Sequence, residues 1–403
     1  MPDACPRDRP RVPARPALEL ADIVREHGAA FRLRHILTPE QHAVLSAVVR
    51  CRTAELGGHL DVCLACGYSA PSYNSCRNRH CPKCQSLAQA RWIEGRMARV
   101  LPIHYFHVVF TLPAELRPLA AYNRRDVFDR LFGAASATLL ELGQDPKRLG
   151  ADLGITMVLH TWARDLSFHP HVHAIVTGGG LSPSGDRWIP ARGRYLFPVD
   201  VLGALFRGKF LAALDAAIAS GEVKMPGGGS QDPEAWDRLR DRLHRMKWNV
   251  YAKRPFGGAE QVIRYLGRYT HRVGISNQRL VSMDERGITF RTKDGKAVTL
   301  SPDAFLKRFL SHVLPNGFVK IRHYGLMSSS HATTTLETAR ALLTDAALPN
   351  DKPVAAGVGD DPTSLLGPLP TGDELPRCPA CGACAILRSP LPEPVARAPP
   401  VAA

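Results

Sequence analysis

Hydrophobic positions along the chain switch repeatedly between helical and strand-like spacing. Apolar side chains recur at helical spacing in 17–50, with Thr38 as an N-cap, and again in 120–143, 200–220, 235–246 and 259–271. Runs of β-branched and aromatic residues predict strands at 103–113, 155–162, 171–178 and 248–253. This order of elements predicts an α+β fold, in which helices pack on one face of an antiparallel sheet.

The last third of the chain shows two different patterns. Residues 280–326 predict a hairpin, a helix and a final strand. Beyond residue 345 the chain is rich in proline, alanine and glycine, so we expect a disordered tail apart from a CxxCxxC knuckle at 378–384.

Composition and charge indicate a nucleic-acid partner. The 403 residues include 52 Lys and Arg against 37 Asp and Glu, which gives a formal net charge of +15. Such a basic chain is typical of proteins that bind polyanions. No stretch reaches the ~18 consecutive apolar residues of a membrane span, and the N terminus has no apolar signal core. We therefore expect a cytoplasmic protein with no membrane partner.

Six cysteines fall between residues 51 and 84, at spacings that predict bound zinc. Cys63 and Cys66 form one CxxC pair, and Cys81 and Cys84 form a second pair after 14 intervening residues. Two such pairs can supply four thiolates to one tetrahedral Zn²⁺. A full thiolate set leaves no position for water, so the zinc is expected to be structural.

Further candidate ligands leave the number of zinc ions open. Four lie near the two pairs and could form a second site or replace members of the first: Cys51, His59, Cys76 and His80. Cys378, Cys381 and Cys384 form a knuckle near the C terminus with no fourth ligand nearby. This knuckle is either half of a site completed from elsewhere or an unoccupied remnant.

Three histidines stand at alternate positions in the predicted strand SFHPHVHAIVTGGG. Because side chains alternate between the two faces of a strand, His171 and His173 share one face, and Val172 points to the other. His169 lies two residues earlier, on the same face as the pair. An imidazole pair with room for oxygen ligands suits Mg²⁺ or Mn²⁺ holding a phosphate.

Two tyrosines lie one helical turn apart in QVIRYLGRYTHR, residues 261–272. Tyr265 and Tyr269 would share one face of a helix. Basic residues accompany them and could bind DNA phosphates: Lys253, Arg254, Arg264, Arg268 and Arg272. A tyrosine hydroxyl has a pKa near 10, so its attack on a phosphodiester needs a metal ion and arginines to neutralise the phosphate.

Taken together, these motifs resemble the two-tyrosine rolling-circle transposases of the insertion-sequence 91 family. The resemblance rests on HPHVHAIVTGGG and YAKRPFGGAEQVIRYLGRYTHRVGISN behind the cysteine module SCRNRHCPKCQ, and it spans roughly residues 20–340. The family belongs to the histidine-hydrophobe-histidine (HUH) single-strand endonucleases. The resemblance therefore implies an HUH-type sheet, similar to an RNA-recognition motif, in which 106–113 lies beside the histidine strand.

The resemblance also implies roles for individual residues. His171 and His173 would bind the catalytic Mg²⁺ or Mn²⁺, with His169 favoured as the third ligand over His160 and Asp165. Tyr265 and Tyr269 would act as successive nucleophiles on single-stranded DNA at the transposon ends and at the target. Each attack would leave a 5′-phosphotyrosine link and a free 3′-OH.

A working organisation of the chain and its surroundings follows from this resemblance. The predicted segments are an N-terminal tail with helices (1–50), a zinc-binding domain (51–95), an HUH nuclease domain (100–280), an α/β extension (281–344) and the tail (345–403). The chain has no GxxxxGK[ST] helicase motif. Host replication or helicase proteins would therefore unwind the DNA at the bacterial nucleoid.

Three other functions remain compatible with the sequence. A plasmid or phage replication initiator would use the same nuclease chemistry at a replication origin. A non-catalytic zinc-binding DNA regulator would bind duplex DNA without cleaving it, and its histidines and tyrosines would only pack. An inactivated transposon remnant is the third.

Overall fold

The described residues form two three-stranded sheets and one larger sheet, together with the helices that pack on it. A computed structural model describes residues 16–84, 99–191, 196–227, 234–253, 274–292, 294–328, 334–345 and 377–391. The helices are α1 (Leu20–Arg34), α2 (Pro39–Arg50), α3 (Arg117–Tyr122), α4 (Arg124–Gln144), α5 (Val199–Ala219), α6 (Ala235–Arg245), α7 (Pro302–Leu310) and α8 (Thr335–Asp345). The strands are β1 (Gly58–Cys63), β2 (Ser69–Tyr73), β3 (Tyr105–Thr111), β4 (Asp152–Trp162), β5 (Phe168–Leu181), β6 (Trp188–Pro190), β7 (Val250–Lys253), β8 (Leu280–Asp284), β9 (Gly287–Arg291), β10 (Ala297–Leu300), β11 (Ile321–Gly325) and β12 (Ile386–Pro390).

The chain divides into two compact units that do not follow its linear order. The first unit takes its described residues from 1–88, 275–306 and 360–403, and the second from 89–274 and 307–359. The predicted extension 281–344 is thus split between the units. The physical reason lies in contacts of the first unit: Asn277 accepts a hydrogen bond from the Leu20 amide over 3.1 Å. His35 and Asp303 also lie 2.8 Å apart.

Helix α2 begins where its capping residue predicts. The Thr38 side chain accepts a hydrogen bond from the Gln41 amide, and the Gln41 side chain bonds back to the Thr38 amide. This reciprocal arrangement satisfies two amides that the first turn of a helix leaves without partners. Pro39 at the first helical position needs no partner for an amide it lacks.

The second unit contains an antiparallel sheet with the strand order β11-β4-β5-β3-β7, and β6 pairs with β5. Helices α4 and α5 cover one face, where Val172, Ala174 and Val176 of β5 belong to the same buried core as Phe128 and Phe206. The predicted α+β class and the antiparallel sheet are confirmed, and β3 pairs with the histidine strand β5 along seven residues. Every helix in the described part of the chain is too short or too polar to span a lipid bilayer.

The C-terminal knuckle, which we set apart from the tail that we expect to be disordered, is part of the fold, and strand β12 follows it. Residues 377–391 are described, and β12 pairs antiparallel with β1 over five positions. Without β12, strand β1 would be an edge strand, so its amides and carbonyls on that side gain partners from the pairing. The remaining tail residues, 346–376 and 392–403, lie outside the described part of the chain.

A buried histidine in the second unit should make its stability depend on pH. His312 is 3% exposed. Its Nε2 donates to the Leu166 carbonyl over 3.0 Å, and its Nδ1 lies 3.2 Å from the Thr161 hydroxyl, which can donate to the neutral ring. Burial lowers the pKa of His312 to about 4 from the ordinary value of 6.5.

The stability of the second unit should fall as the pH is lowered, because the unfolded chain binds a proton at His312 before the folded chain does. Below pH 6.5 this histidine is protonated in the unfolded chain but not in the folded chain. The free energy of unfolding is therefore highest above pH 6.5 and falls progressively toward pH 4. The total loss is about 3 kcal/mol. Unfolding monitored by the fluorescence of the neighbouring Trp162 should show this loss. His312→Gln should remove it, and an identical pH dependence in that variant would contradict the assignment.

Candidate functional site

The histidine strand places its imidazoles on the sheet face opposite the helices. In the antiparallel ladder His160 of β4 is paired with His171 of β5, and Val158 is paired with His173. Residues paired across antiparallel strands point to the same face, so all of these side chains share one face of the sheet. Val172 points to the other face, into the core beneath α4 and α5.

Three histidines form a cluster that could hold one cation. One ring nitrogen from each of His160, His171 and His173 lies within 4.8 Å of the others. The ring centroids are separated by 4.4 Å for His160 and His173, 4.9 Å for His171 and His173, and 5.4 Å for His160 and His171. His160 and His173 are buried, whereas His171 is half-buried. Solvent and a ligand can therefore reach the cluster from the His171 side.

Hydrogen bonds to the far ring nitrogens orient two of these imidazoles. His171 Nδ1 lies 2.7 Å from the His169 carbonyl oxygen, which can only accept, so Nδ1 carries the proton and Nε2 keeps its lone pair. His173 Nδ1 lies 2.8 Å from His107 Nε2. If His173 donates in this bond, its Nε2 likewise carries the lone pair that metal ligation requires. Fixing the tautomer of a histidine ligand in this way is typical of metal centres.

His169, the predicted third ligand, is not part of the cluster. Its Nδ1 lies 3.0 Å from an Arg117 guanidinium nitrogen, so it accepts that hydrogen bond and has no lone pair there for a metal. Burial and the Arg117 charge both lower the pKa of His169. Asp165 is also outside the cluster, because it accepts hydrogen bonds from the Ser167 amide and hydroxyl in the β4–β5 turn. The structure brings His160 to that position instead.

The cluster fits a divalent cation that leaves coordination positions open. Three neutral imidazoles supply three ligands and no negative charge, so an octahedral ion would have three positions for water or phosphate oxygens. The tautomer of His171 is already the one that ligation requires. His160, His171 and His173 are the residues that would hold the ion.

A first group of four cysteines forms a closed site in the zinc module. Cys51, Cys76, Cys81 and Cys84 bring their sulfur atoms within 4.8 Å of one another. The Cys84 sulfur lies 3.2 Å from that of Cys51 and 3.5 Å from that of Cys76. Hydrogen bonds from the other three thiols lower the pKa of Cys84 far below that of a free thiol. Four sulfur atoms this close together are suited to tetrahedral Zn²⁺.

A second group of four cysteines divides the set predicted for one ion. Cys63 and Cys66 lie with Cys378 and Cys381, and not with the pair at 81 and 84. The hairpin explains the separation, because β1 ends at the turn carrying Cys63 and Cys66, and β2 then returns to the opposite end. Five residues of strand span about 17 Å, too far for one tetrahedral ion. His80 belongs to neither group.

Other predicted site residues lie outside the part of the chain that the structure describes. The tyrosines, the arginines near them and Arg254 fall in 254–273, which carries Tyr265, Tyr269, Arg264, Arg268 and Arg272. Lys253 is the last residue of β7, but its side chain is not described. Their roles stay predictions.

The chain is similar to known transposases over nearly its whole length. A family model described as "Transposase zinc-binding domain" matches residues 23–112, and a model described as "Putative transposase" matches residues 154–334. The protein named "Putative transposase y4qJ" from Sinorhizobium fredii is 43% identical over 378 residues, which cover 91% of this chain and 94% of that protein. The chain belongs to the insertion-sequence 91 family of transposases.

A second relative is named after the insertion sequence that it serves. The protein named "Transposase for insertion sequence element IS801" from Pseudomonas savastanoi pv. phaseolicola is 28% identical over 306 residues, which cover 71% of this chain and 70% of that protein. No solved structure matches the chain. The family is thus confirmed, DNA is the substrate that a transposase implies, and the zinc-binding model together with the cysteine groups supports structural Zn²⁺.

Two residues beside the histidine cluster have no motif in the sequence. His107 reaches His173 because β3 is paired with β5, and alternation along β3 puts His107 on the histidine face. Arg117 follows β3 at the start of α3 and bonds to His169. The position of His107 could have been inferred from alternation. Thr111 is paired with His171, and His107 lies an even number of residues before Thr111, so both point to the histidine face. Nothing local indicates Arg117.

The third metal ligand can be tested by a matched pair of variants in the zinc-loaded transposase. We expect His160→Ala to weaken Mn²⁺ binding by roughly 100-fold or more, because it removes a direct ligand. His169→Ala keeps the backbone carbonyl that orients His171 and should change affinity by less than about 3-fold. Titration followed by Mn²⁺ electron paramagnetic resonance measures both. Equal losses in the two variants would contradict the placement of His160.

Proposed function

We propose that the transposase nicks and joins single-stranded DNA through 5′-phosphotyrosine intermediates, and so mobilises an insertion sequence by a rolling-circle mechanism. The observation that carries this proposal is the cluster of His160, His171 and His173 on the sheet face opposite the helices. Its ligands contain no carboxylate, and its open side lies at the half-buried His171. Such a centre suits a cation that binds a phosphodiester rather than a permanently closed structural ion.

The histidines hold the cation and the tyrosines make the covalent link. A bound Mg²⁺ or Mn²⁺ would polarise the scissile phosphate and neutralise its developing charge. The hydroxyl oxygen of Tyr265 or Tyr269 forms a bond to phosphorus, its proton passes to solvent, and the bond to the 3′ oxygen breaks. The basic residues at 253, 254, 264, 268 and 272 would hold the DNA backbone. Two tyrosines allow one cut strand to remain attached while the second cut is made.

A surface aromatic residue supports single-stranded rather than duplex DNA as the substrate. Tyr251 of β7 is 53% exposed. It is paired with Val109 of β3, and Val109 is paired with His173, so Tyr251 lies in the same row of the sheet as the metal cluster. Exposed aromatic rings on sheets of this kind stack on unpaired bases, which a duplex keeps inside its helix.

Host proteins complete the proposed reaction. The chain has no helicase motif, so unwinding falls to host replication or helicase proteins at the nucleoid, and we expect the transposase to act in the cytoplasm. The free 3′-OH left by the first cut can prime DNA synthesis that displaces the old strand.

The proposal is tested by cleavage of labelled oligonucleotides carrying the two ends of the element. We expect cutting of one strand, only when that strand is single, with Mn²⁺ or Mg²⁺ and not with EDTA. Mn²⁺ should act at lower concentration than Mg²⁺, because Mg²⁺ prefers oxygen ligands to imidazole. Tight binding to duplex ends with no cleavage under any of these conditions would instead support a zinc-binding DNA regulator. Cleavage confined to a plasmid or phage origin would favour a replication initiator.

A further inference from the structure

The N-terminal and C-terminal cysteine knuckles have the same local structure. The first is CLACG, residues 63–67, and the second is CPACG, residues 378–382. In each, the amide of the first cysteine donates to the carbonyl five residues later over 2.8 Å, and the glycine amide donates back to that cysteine's carbonyl over 2.9 and 2.8 Å. Gly67 and Gly382 have φ values of 72° and 79°, which favour glycine. Each turn therefore directs its two thiols toward one side.

The four thiols of the two knuckles are arranged as a tetrahedral metal site requires. The sulfur atoms of Cys63 and Cys381 are 3.6 Å apart, and those of Cys66 and Cys378 are 3.7 Å apart. A tetrahedral Zn²⁺ with bonds of about 2.3 Å holds its sulfur ligands about 3.8 Å from one another. The separations are thus those of ligands around one ion, although the two knuckles are more than 300 positions apart along the chain.

Strand pairing brings the second knuckle to the first. Strand β12, which follows the knuckle at 378–382, lies antiparallel to β1, which precedes the knuckle at 63–67. Arg388 of β12 donates two hydrogen bonds to the Asp61 carboxylate of β1, over 2.6 and 3.0 Å. The C-terminal segment thus supplies the third strand of the sheet β12-β1-β2 as well as half of the cysteines.

We propose that these knuckles form a second structural zinc site, which fastens the C-terminal strand to the N-terminal module. The zinc-binding family model ends at residue 112, and the transposase model ends at residue 334, so neither includes residues 377–391. The ion cross-links two segments that are distant along the chain, as a disulfide bond would. The site is independent of the strand-cleavage chemistry proposed above, and it exists whether or not the tyrosines are nucleophiles.

The two zinc sites should differ in their lability. Cys66 and Cys381 of the split site are exposed, whereas all four cysteines of the first site are buried or half-buried. A chelator reaches exposed thiolates first, so the split site should release its ion before the other. Release should leave β1 without the partner that occupies its outer edge.

The test combines zinc counting with hydrogen exchange on the full chain. We expect two zinc ions per chain by elemental mass spectrometry, and one in Cys381→Ser. Cys384→Ser is the matched control, because this cysteine belongs to the same knuckle but not to the group of four, and it should keep two ions. Peptides covering 58–64 should exchange faster in Cys381→Ser and not in Cys384→Ser.

The wild-type protein gives a second test, which does not require any variant to fold. Limited chelator should remove one zinc per chain in a fast phase, and protection of 58–64 and 386–390 should fall in that phase alone. One zinc per wild-type chain, or two that remain in Cys381→Ser, would overturn the proposal. A fast phase that leaves both segments protected would overturn the fastening role.

Discussion

Replacement of His171 or His173 by alanine is expected to abolish metal-dependent strand cleavage. Each substitution removes one of three ligands and leaves the remaining imidazoles unable to hold the cation against the charge that develops on the phosphate. Loss of several kcal/mol of transition-state stabilisation corresponds to a rate reduced by about a thousandfold or more. The measurement is the single-turnover rate of cleavage of a labelled single-stranded end at saturating Mn²⁺.

A neighbouring histidine on the same strand provides the control for this prediction. His169→Ala removes an imidazole from the same face but preserves the backbone carbonyl that accepts from His171. Its cleavage rate should stay within about 5-fold of the wild type, since it alters surroundings rather than a ligand. Full activity in His171→Ala, or equal losses in both variants, would show that the cluster is not the catalytic metal centre.

Replacement of both tyrosines by phenylalanine is expected to abolish the covalent link between protein and DNA. The double variant with Tyr265→Phe and Tyr269→Phe should lose the covalent protein–DNA adduct completely, because phenylalanine has no hydroxyl to attack phosphorus. DNA binding should change by less than about 3-fold, since the aromatic rings remain and can still stack. Gel shift measures the binding, and gel electrophoresis under denaturing conditions measures the adduct.

The single variants separate the roles of the two tyrosines. Tyr265→Phe and Tyr269→Phe should each retain one cleavage step and fail in the joining of the two ends. Arg117→Lys, which keeps a positive charge at a site outside the metal cluster, serves as the control and should retain both steps. An adduct of normal yield in the double variant would rule out these tyrosines as nucleophiles.

The sequence predicts the fold well where the signal is local. Alternation in β5 indicates which side chains enter the core, because the two faces of a strand are set by the backbone itself. Thr38 predicts the start of α2 for the same reason, since its cap involves only residues three positions away. The pairing of residues 275–306 and 377–391 with the N-terminal unit depends on contacts between distant segments, which no local pattern encodes.

The candidate site shows the same division between local and distant determinants. The histidine pair could be identified from spacing alone, whereas the third member depends on the register that places His160 opposite His171. His169 has the same spacing along the strand, but its ring is hydrogen-bonded to Arg117, a residue 52 positions away, and lies outside the cluster. In the zinc module, CxxC spacing indicates candidate ligands, but the length of the β1–β2 hairpin decides which of them lie together.

The central claim is that a tyrosine of this transposase becomes linked to the 5′ end of a cut single strand in a reaction that needs a divalent cation. The most direct measurement is to incubate the protein with single-stranded transposon ends, with Mn²⁺ or EDTA, and to digest any denaturation-resistant adduct for peptide mass spectrometry. We predict a Mn²⁺-dependent adduct whose nucleotide mass maps to Tyr265 or Tyr269. Cleavage that leaves a free 5′-phosphate and no adduct at any time point would mean that water is the nucleophile, and it would contradict the account.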